Sequence, residues 1–221
     1  MKKLLATSLI VLAGTGAQAD TSYQAGFMTD YLFRGITRTD NSPAIYGQAE
    51  QKVGNAYAGV YAINIDAPDG AEGLPIEMDV YFGYNNQFDG FNIDVEVITY
   101  NYLVDSAGDE TEFKVGTTPI EGLNIALYRG IKNKTWYPEV KYEKFLPHRL
   151  YLDVSAGYWS QDDADDSALT ARVELARDFP ELHGIDIYGA LDVISDSTPF
   201  GSDADDDDSE LELVLGVRKK F

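Results

Sequence analysis

Residues 76–84 read IEMDVYFGY, and apolar and polar side chains alternate along them. Every second residue from Ile76 to Tyr84 is apolar, whereas Glu77 and Asp79 fall between these positions. Successive side chains of an extended chain point to opposite faces, so the stretch predicts a β-strand with one apolar and one charged face. A strand of about this length crosses a bilayer when it is tilted. The stretch therefore indicates a membrane-spanning strand.

The same period of two recurs along the chain and predicts twelve strands. They cover residues 23–34, 44–53, 56–66, 76–87, 91–103, 111–118, 123–131, 135–146, 149–159, 168–178, 185–194 and 209–221. Connections after even-numbered strands are short, as at Gly54-Asn55, and those after odd-numbered strands are mostly longer and more polar, as at 36–43. These features predict an all-β fold, a transmembrane antiparallel up-and-down β-barrel of twelve strands with short periplasmic turns and longer external loops.

A soluble β-sandwich or a lipocalin-like cup is the alternative, because both also contain alternating strands. In those folds the apolar faces point inward and the loop lengths need not alternate. The C-terminal strand favours the barrel, since residues 211–217 carry apolar side chains on one face and the chain stops at Phe221 on the same parity. It resembles the terminal strand that bacterial barrel-assembly machinery recognises, although Lys219 departs from the usual apolar residue. We therefore expect that machinery as a partner during insertion.

The N-terminal residues have the three-part layout of a secretory signal peptide. Lys2 and Lys3 precede an apolar run over residues 4–12, and Ala17-Gln18-Ala19 offers a cleavage site. The apolar run is too short to cross a bilayer as a helix, which argues against a membrane anchor. We predict a cleaved signal peptide at residues 1–19, a single barrel domain at residues 20–221, and transport through the inner membrane to the bacterial outer membrane.

Composition excludes several classes of partner. Without Lys2 and Lys3 the chain has 15 basic and 37 acidic residues, a formal charge of −22, which argues against nucleic acid and anionic lipid headgroups. The sequence contains no cysteine, so neither disulfides nor a lipid-modified cysteine are expected. The expected partners are the outer-membrane lipid and a small-molecule solute, and no cofactor is predicted.

The segment DYLFRGITRTD at residues 30–40, followed by Pro43-Ala44, resembles the N-terminal motif of the TorF-type family of predicted porins. The segments at residues 57–61, 64–66 and 81–84 are similar to the same family. The resemblance implies an outer-membrane barrel with a pore. It implies no particular substrate and no catalytic residue.

The polar parity of the predicted strands supplies the side chains that would line a pore. It places fifteen acidic and six basic side chains toward the lumen, so we predict a preference for cations. The main pore-lining candidates are Asp30, Arg34, Glu50, Lys52, Asp66, Glu77, Asp79, Asp94, Glu96, Lys141, Glu143, Asp153, Arg172, Glu174, Asp192 and Arg218. Asp30 and Arg34 share the polar face of the first predicted strand about 13 Å apart, so each needs a partner across the barrel. For these two charges we favour a structural role, the ordering of the lumen, over solute recognition.

The apolar parity predicts the side chains that face lipid. They include Tyr57, Tyr61, Ile63, Ile65, Val80, Phe82, Leu152 and Val173. In the fifth strand the apolar parity changes between Val97 and Ile98, which predicts a β-bulge near Val97.

No enzymatic function is predicted. The two histidines of the chain, His148 and His183, both fall in predicted periplasmic turns, and no serine lies in a nucleophile-elbow motif. Acidic runs at residues 162–166 and 203–210 could collect Ca²⁺ or Mg²⁺, but neither fits the spaced EF-hand pattern. A solvated charge run is the favoured interpretation, and no metal site is predicted.

Two functions stay open at this point. The favoured one is an outer-membrane channel for the passive diffusion of small solutes. The alternative is a non-conducting outer-membrane barrel with a surface adhesion or envelope-structural role through its acidic external loops. Twelve strands enclose a lumen wider than that of an eight-stranded barrel and narrower than that of a 16-stranded porin, which is compatible with either function.

Overall fold

The computed structural model describes residues 19–67, 73–162, 167–197 and 209–221, and the predicted signal peptide lies almost wholly outside them. Within these residues, twelve antiparallel strands pair in chain order and the last closes on the first, which confirms the predicted barrel. The strands are β1 Ala19–Met28, β2 Ala44–Val53, β3 Ala56–Asn64, β4 Ile76–Phe88, β5 Phe91–Tyr102, β6 Glu110–Ile120, β7 Leu123–Gly130, β8 Thr135–Leu146, β9 Leu150–Gln161, β10 Ser167–Phe179, β11 Ile185–Ile194 and β12 Glu210–Lys220. None of the described segments is a helix long and apolar enough to cross a membrane.

At one end of the barrel, tight turns connect neighbouring strands. Two residues join β2 to β3, β4 to β5 and β6 to β7, and each of these turns contains a glycine with positive φ, namely Gly54, Gly90 and Gly122. Such turns favour glycine because a side chain would clash in the left-handed conformation. The opposite end carries the long connections at 29–43 and 65–75. The predicted alternation of short and long loops is therefore confirmed.

The outer surface of the barrel is apolar. Leu213 is 61% exposed, Phe82 52% and Val173 46%, and Val80 and Leu152 lie on the same outward parity of their strands. Large apolar side chains at this exposure form the lipid-facing band of a spanning barrel rather than a water-facing surface. The prediction that Phe82 and Val173 lie on the outside is confirmed.

Closure joins the two ends of the chain. β1 pairs with β12, with Gln24 opposite Lys220 and Met28 opposite Gly216. The Phe221 N–H donates to the Tyr23 carbonyl oxygen at 2.9 Å, and the Tyr23 N–H donates back to the Phe221 carbonyl oxygen at 3.4 Å. The twelve strands therefore leave no open sheet edge, which is the condition for burying a β-structure in lipid.

Tyrosine rings fill the interior by lying over glycines of the neighbouring strand. Tyr57 stands opposite Gly83 and Tyr81 opposite Gly59, and a Cβ atom on either glycine would overlap the facing ring. The same packing joins the pairs Tyr46 and Gly26, Tyr188 and Gly216, and Tyr137 and Gly157. These rings bring phenol hydroxyls into the lumen, where the Tyr57 hydroxyl donates to Asp94 at 3.0 Å.

The prediction that Tyr57, Tyr61, Ile63 and Ile65 face lipid is wrong. The first three lie on the inward parity of β3, opposite Gly83, Asp79 and Glu77, and Ile65 lies beyond the end of the strand. Both faces of β3 are apolar, because alanine and valine alternate with the large residues, so alternation alone cannot select the lipid-facing parity. The alanines and Val60 face outward, whereas Gly59 faces inward beneath the ring of Tyr81.

The predicted β-bulge near Val97 is also wrong. β5 pairs with β4 in one continuous register from Phe91 to Tyr102, which keeps Tyr100 and Tyr102 on the inward face. Their hydroxyls have polar partners there, and the Tyr100 hydroxyl donates to Glu112 at 3.0 Å. An aromatic residue with a hydroxyl is therefore compatible with the lumen. In the described strands, a register irregularity occurs instead between Thr117 and Ile120, where β6 meets β7.

Candidate pore constriction

The segment between β1 and β2, residues 29–43, is named L1 here. β1 ends at Met28, six residues before the end of the predicted strand, and L1 then forms a small hairpin from the two-residue strands Leu32–Phe33 and Ile36–Thr37. Arg34 and Gly35 form its turn with positive φ angles of 53° and 88°, the conformation that two-residue hairpins require. The placement of Asp30 and Arg34 on the polar face of the first strand is therefore wrong, because the polar periodicity continues through a hairpin.

The L1 hairpin lies inside the barrel. Ile36 packs against a buried cluster from β8 to β11, formed by Tyr137, Trp159, Ala168 and Ile194. Leu32 packs against a second cluster from β10 to β12, formed by Ala176, Tyr188, Ala190 and Val214. The hairpin thus covers the inner face of β8 to β12, the wall that stands across the lumen from β4 to β6. The burial of its apolar side chains holds it there.

Arg34 connects the hairpin to the opposite wall. Its guanidinium donates two parallel hydrogen bonds to Glu112 on β6, from Nη1 to Oε1 at 2.9 Å and from Nη2 to Oε2 at 2.8 Å. The guanidinium carbon also lies 4.0 Å from the ring centroid of Tyr137 and 4.7 Å from that of Phe33. A buried bidentate pair with aromatic stacking is the arrangement for which arginine is suited and lysine is not.

Two further anchors fix the base of L1. The carboxylate of Asp30 accepts hydrogen bonds from the hydroxyls of Thr37 and Thr39, each at 2.7 Å. The Tyr31 hydroxyl donates to Oε1 of Glu77 on β4 at 2.7 Å. Asp30 therefore finds its partners within L1 rather than across the barrel, and L1 is tied to the wall at both its base and its tip.

Most basic side chains of the inner wall are paired with carboxylates, and Lys52 is an exception among the described inward ones. Arg172 contacts Asp192 at 2.6 Å and Glu174 at 2.9 Å. Further ion pairs join Arg218 to Glu174 and Asp186, Lys114 to Asp94 and Glu96, and Lys141 to Glu139. The positive charges of the wall are thus largely compensated, so the acidic excess sets the sign of the charge in the lumen.

Three inward carboxylates have a buried oxygen without a hydrogen-bond donor among the described residues. They are Asp30 through Oδ2, Glu77 through Oε2 and Asp79 through Oδ1. Such oxygens are costly unless a donor or a cation satisfies them. In the described part of the chain, no group of three or more His, Asp or Glu residues is placed to hold a metal ion.

Cavities lie on both sides of the hairpin. One of about 360 Å³, toward the long loops, includes Phe33, Arg34 and Glu112 in its lining. Toward the short turns lie a cavity of about 350 Å³ that also borders Arg34 and one of about 370 Å³ that also borders Phe33. Because the cavities share residues of the hairpin, L1 lies between them in the lumen.

Most of the other predicted lining residues occupy inward positions of their strands. These are Glu50, Lys52, Glu77, Asp79, Asp94, Glu96, Lys141, Glu143, Asp153, Arg172, Glu174, Asp192 and Arg218. Asp66 differs: it is exposed beyond the end of β3, and its N–H donates to the Arg38 carbonyl oxygen at 2.7 Å. The pairing of Arg34 with Glu112 and the inward tyrosines were not predicted. Glycines at the facing positions of neighbouring strands are the sequence signal that could have indicated those tyrosines.

The acidic external runs fall mostly on residues outside the described ones, namely Asp163, Asp165, Asp166, Asp203 and Asp205 to Asp208. Asp162 is described, and a hydrogen bond from the Arg129 guanidinium holds the pKa of its exposed carboxyl below the usual range. His148 and His183 lie in the short turns, apart from the constriction.

Solved structures with a similar fold include a porin and an outer-membrane protein. One is the KdgM porin in complex with disordered oligogalacturonate, with a TM-score of 0.55 and 12% identity over 92% of this chain and 99% of that one. Another is the outer-membrane protein Omp33 of Acinetobacter baumannii, with a TM-score of 0.56 and 11% identity over 93% of this chain and 99% of that one. At these identities the likeness establishes the fold alone. No curated protein sequence matches the chain.

A family profile provides the evolutionary assignment. The profile of Gcw_chp, described as a bacterial protein of unknown function, matches residues 13–157. The match covers the motif at residues 30–40 and continues into β9, and it names Gcw_chp rather than the TorF-type family. Because about two thirds of the sequence is matched, the chain belongs to the Gcw_chp family.

Proposed function

We propose that the chain is an outer-membrane channel for the passive diffusion of small solutes, constricted by L1. The observation that carries the proposal is the presence of cavities of about 350 to 370 Å³ on both sides of the hairpin, inside a closed barrel with an apolar exterior. The resemblance to TorF-type predicted porins and the porin-like fold agree with this function. The predicted signal peptide would direct the chain to the outer membrane.

We further propose that the channel prefers cations. Most arginines and lysines of the wall, although not Lys52, are paired with acids, while Glu77 and Asp79 have no ion pair within the described residues. A confined lumen focuses the field of the remaining carboxylates and concentrates counter-ions. KdgM has been solved with oligogalacturonate. An oligomer of acidic sugars would be repelled by the lumen of this chain, so a different solute class is expected here.

The test is a reversal-potential measurement. Purified folded protein is inserted into a planar bilayer that separates two concentrations of KCl. We expect a potential of cation-selective sign at low salt, and a smaller one as salt rises, because screening shortens the reach of the charges to about 8 Å at physiological ionic strength. Neutralising two partly exposed inward acids, through Glu143→Gln and Asp153→Asn, should reduce the selectivity. A potential of anion-selective sign would overturn the preference.

One observation favours a second candidate function. L1 is tied across the lumen by the Arg34–Glu112 and Tyr31–Glu77 contacts, which suits a non-conducting barrel with a surface or envelope-structural role. Folded protein that inserts into the bilayer and carries no current, with or without the Arg34 contact, would favour this alternative.

A further inference from the structure

The cavity between L1 and strands β2 to β5 is named the acid-lined cavity here. It has a volume of about 370 Å³, and its lining includes the carboxylates of Glu50, Asp79 and Glu96 and no lysine or arginine. The cavity on the other side of the lumen differs, because Arg34, Lys141, Arg172 and Arg218 all contribute to its lining. One wall of the lumen therefore presents acids to a cavity whose own lining contains no basic side chain.

The three carboxylates stand at successive levels of the wall. Their levels can be compared along β4, the strand that carries Asp79. Glu50 on β2 lies at the level of Tyr81, because both are opposite Gly59 of β3. Glu96 on β5 lies at the level of Gly83, its direct partner on β4. The levels of Asp79, Glu50 and Glu96 thus follow each other in steps of two residues, or about 7 Å along the strands. This series forms a ladder of carboxyl groups that descends from the hairpin toward the short turns.

Asp79 has the strongest unmet demand in this ladder. It is only 9% exposed, and its buried Oδ1 has no hydrogen-bond donor among the described residues. The guanidinium of Arg38 donates to the Tyr102 hydroxyl at 2.5 Å and forms no ion pair with Asp79. Glu96 shares Lys114 with Asp94, which is the nearer partner at 3.1 Å against 3.5 Å. A ligand that brings N–H donors and positive charge would satisfy Asp79.

The remaining lining indicates an organic cation rather than a metal ion. The carboxylates are separated along the wall, and no described group of three acids converges on a single point. The same cavity is also lined by Tyr61, Tyr81 and Tyr100. Aromatic rings pack against methylene groups and attract ammonium groups over their faces.

We propose that the acid-lined cavity binds linear aliphatic polyamines, whose ammonium groups are spaced along a methylene chain as the carboxylates are spaced along the wall. The proposal rests on the proposed channel function in so far as it names the solute class. Binding itself does not require conduction, so the two ideas can fail separately.

The experiment is calorimetric titration of spermidine into the folded protein in detergent, with folding checked by heat-modifiable gel mobility. Asp79→Asn and Glu50→Gln, which keep the side-chain shapes, are each expected to weaken binding about tenfold or more, since a charge-assisted hydrogen bond is lost. The matched control is Asp153→Asn, an inward acid that lines the other cavity and not this one, so it lowers the ion selectivity of the lumen but should change the spermidine affinity far less than tenfold.

Three results would overturn the proposal: no heat of binding, equal weakening by Asp79→Asn and Asp153→Asn, or equal binding of Mg²⁺ and spermidine.

A planar-bilayer recording then separates binding from transport. If the channel conducts, spermidine should reduce the potassium current through the wild-type protein but not through the Asp79→Asn variant. Binding without any conductance would leave the site in place and refute the channel.

Discussion

Arg34 is the residue that holds L1 across the lumen. Its φ of 53° is a left-handed conformation that costs free energy for any residue except glycine. The bidentate contact with Glu112 and the stacking on Tyr137 offset that cost. The turn could use a more permissive residue if conformation alone mattered, so the reach of the guanidinium explains why arginine stands here.

We expect Arg34→Ala to lower the free energy of unfolding by about 3–5 kcal/mol, because Glu112 would keep a buried charge without its partner. The same change should raise the single-channel conductance, since the tip of the hairpin loses its attachment to β6. Urea unfolding in lipid vesicles and planar-bilayer recording measure the two effects.

Two variants serve as controls for this prediction. Arg149→Ala removes an exposed ion pair with Asp178, and about 1 kcal/mol or less should be lost. Arg34→Ala combined with Glu112→Gln should recover part of the lost stability while the conductance stays raised. Wild-type conductance in Arg34→Ala would mean that L1 is not the constriction.

At the level of single residues, the sequence predicted charged side chains for the lumen but not their partners. Arg34 does meet a carboxylate across the barrel, Glu112 at a separation of 78 residues, whereas Asp30 is satisfied by threonines of its own loop. A strand and a tight hairpin can share one polar periodicity, so the pattern could not show that the chain turns back after Met28.

Strand pairing in this barrel depends on tyrosine rings that lie over glycines. The fit is tight at Gly83, where the ring of Tyr57 occupies the space that a side chain would need. At Gly47, on the outward parity of β2, nothing lies within 4 Å of the corresponding position. The two glycines therefore offer a matched comparison within neighbouring parts of one sheet.

We expect Gly83→Ala to destabilise the barrel by about 1–3 kcal/mol, the usual cost of forcing an extra methyl group into a packed interior. Gly47→Ala adds the same group to the outer surface and should change stability by about 0.5 kcal/mol or less. Urea unfolding of both variants in the same vesicles gives the comparison. Equal effects would show that the ring of Tyr57 moves aside freely.

The number, order and approximate bounds of the strands could be predicted because each crosses from one water layer to the other with one apolar face. The parity of β3 could not, since alanines and aromatic residues make both of its faces apolar. The inward tyrosines of β5 misled in the same way, because a phenol is apolar by its ring and polar by its hydroxyl. Aromatic side chains in this barrel therefore occur on both faces: some face the lipid, and others face the lumen beside its carboxylates.

The whole molecule depends on the seam between β1 and β12, which sets the register of the closed barrel. Tyr23 and Phe221 exchange two backbone hydrogen bonds. In an antiparallel ladder the next pair, Gln24 and Lys220, is then a non-hydrogen-bonded pair, and the side chains of such pairs lie closest together.

We expect Gln24→Cys combined with Lys220→Cys to form a disulfide under mild oxidation, because the native chain has no cysteine that could compete. Gln24→Cys combined with Glu212→Cys places the second thiol eight residues away along β12 and should not cross-link. The readout is gel mobility after heating with and without reductant. Cross-linking of the second pair in preference to the first would contradict the register.

L1 stands near the N-terminus, yet part of its support comes from the C-terminal strands of the chain. Ile36 and Leu32 rest on β8 to β12, and the Thr29 hydroxyl accepts from the Leu215 N–H across 186 residues of sequence. Contacts of such long range form late, because the loop that they close must first lose its freedom. We therefore expect the barrel wall to assemble before its hairpin docks. An intermediate with a completed wall and an undocked L1 would be more permeable than the finished protein, so the order of folding decides when the envelope is sealed.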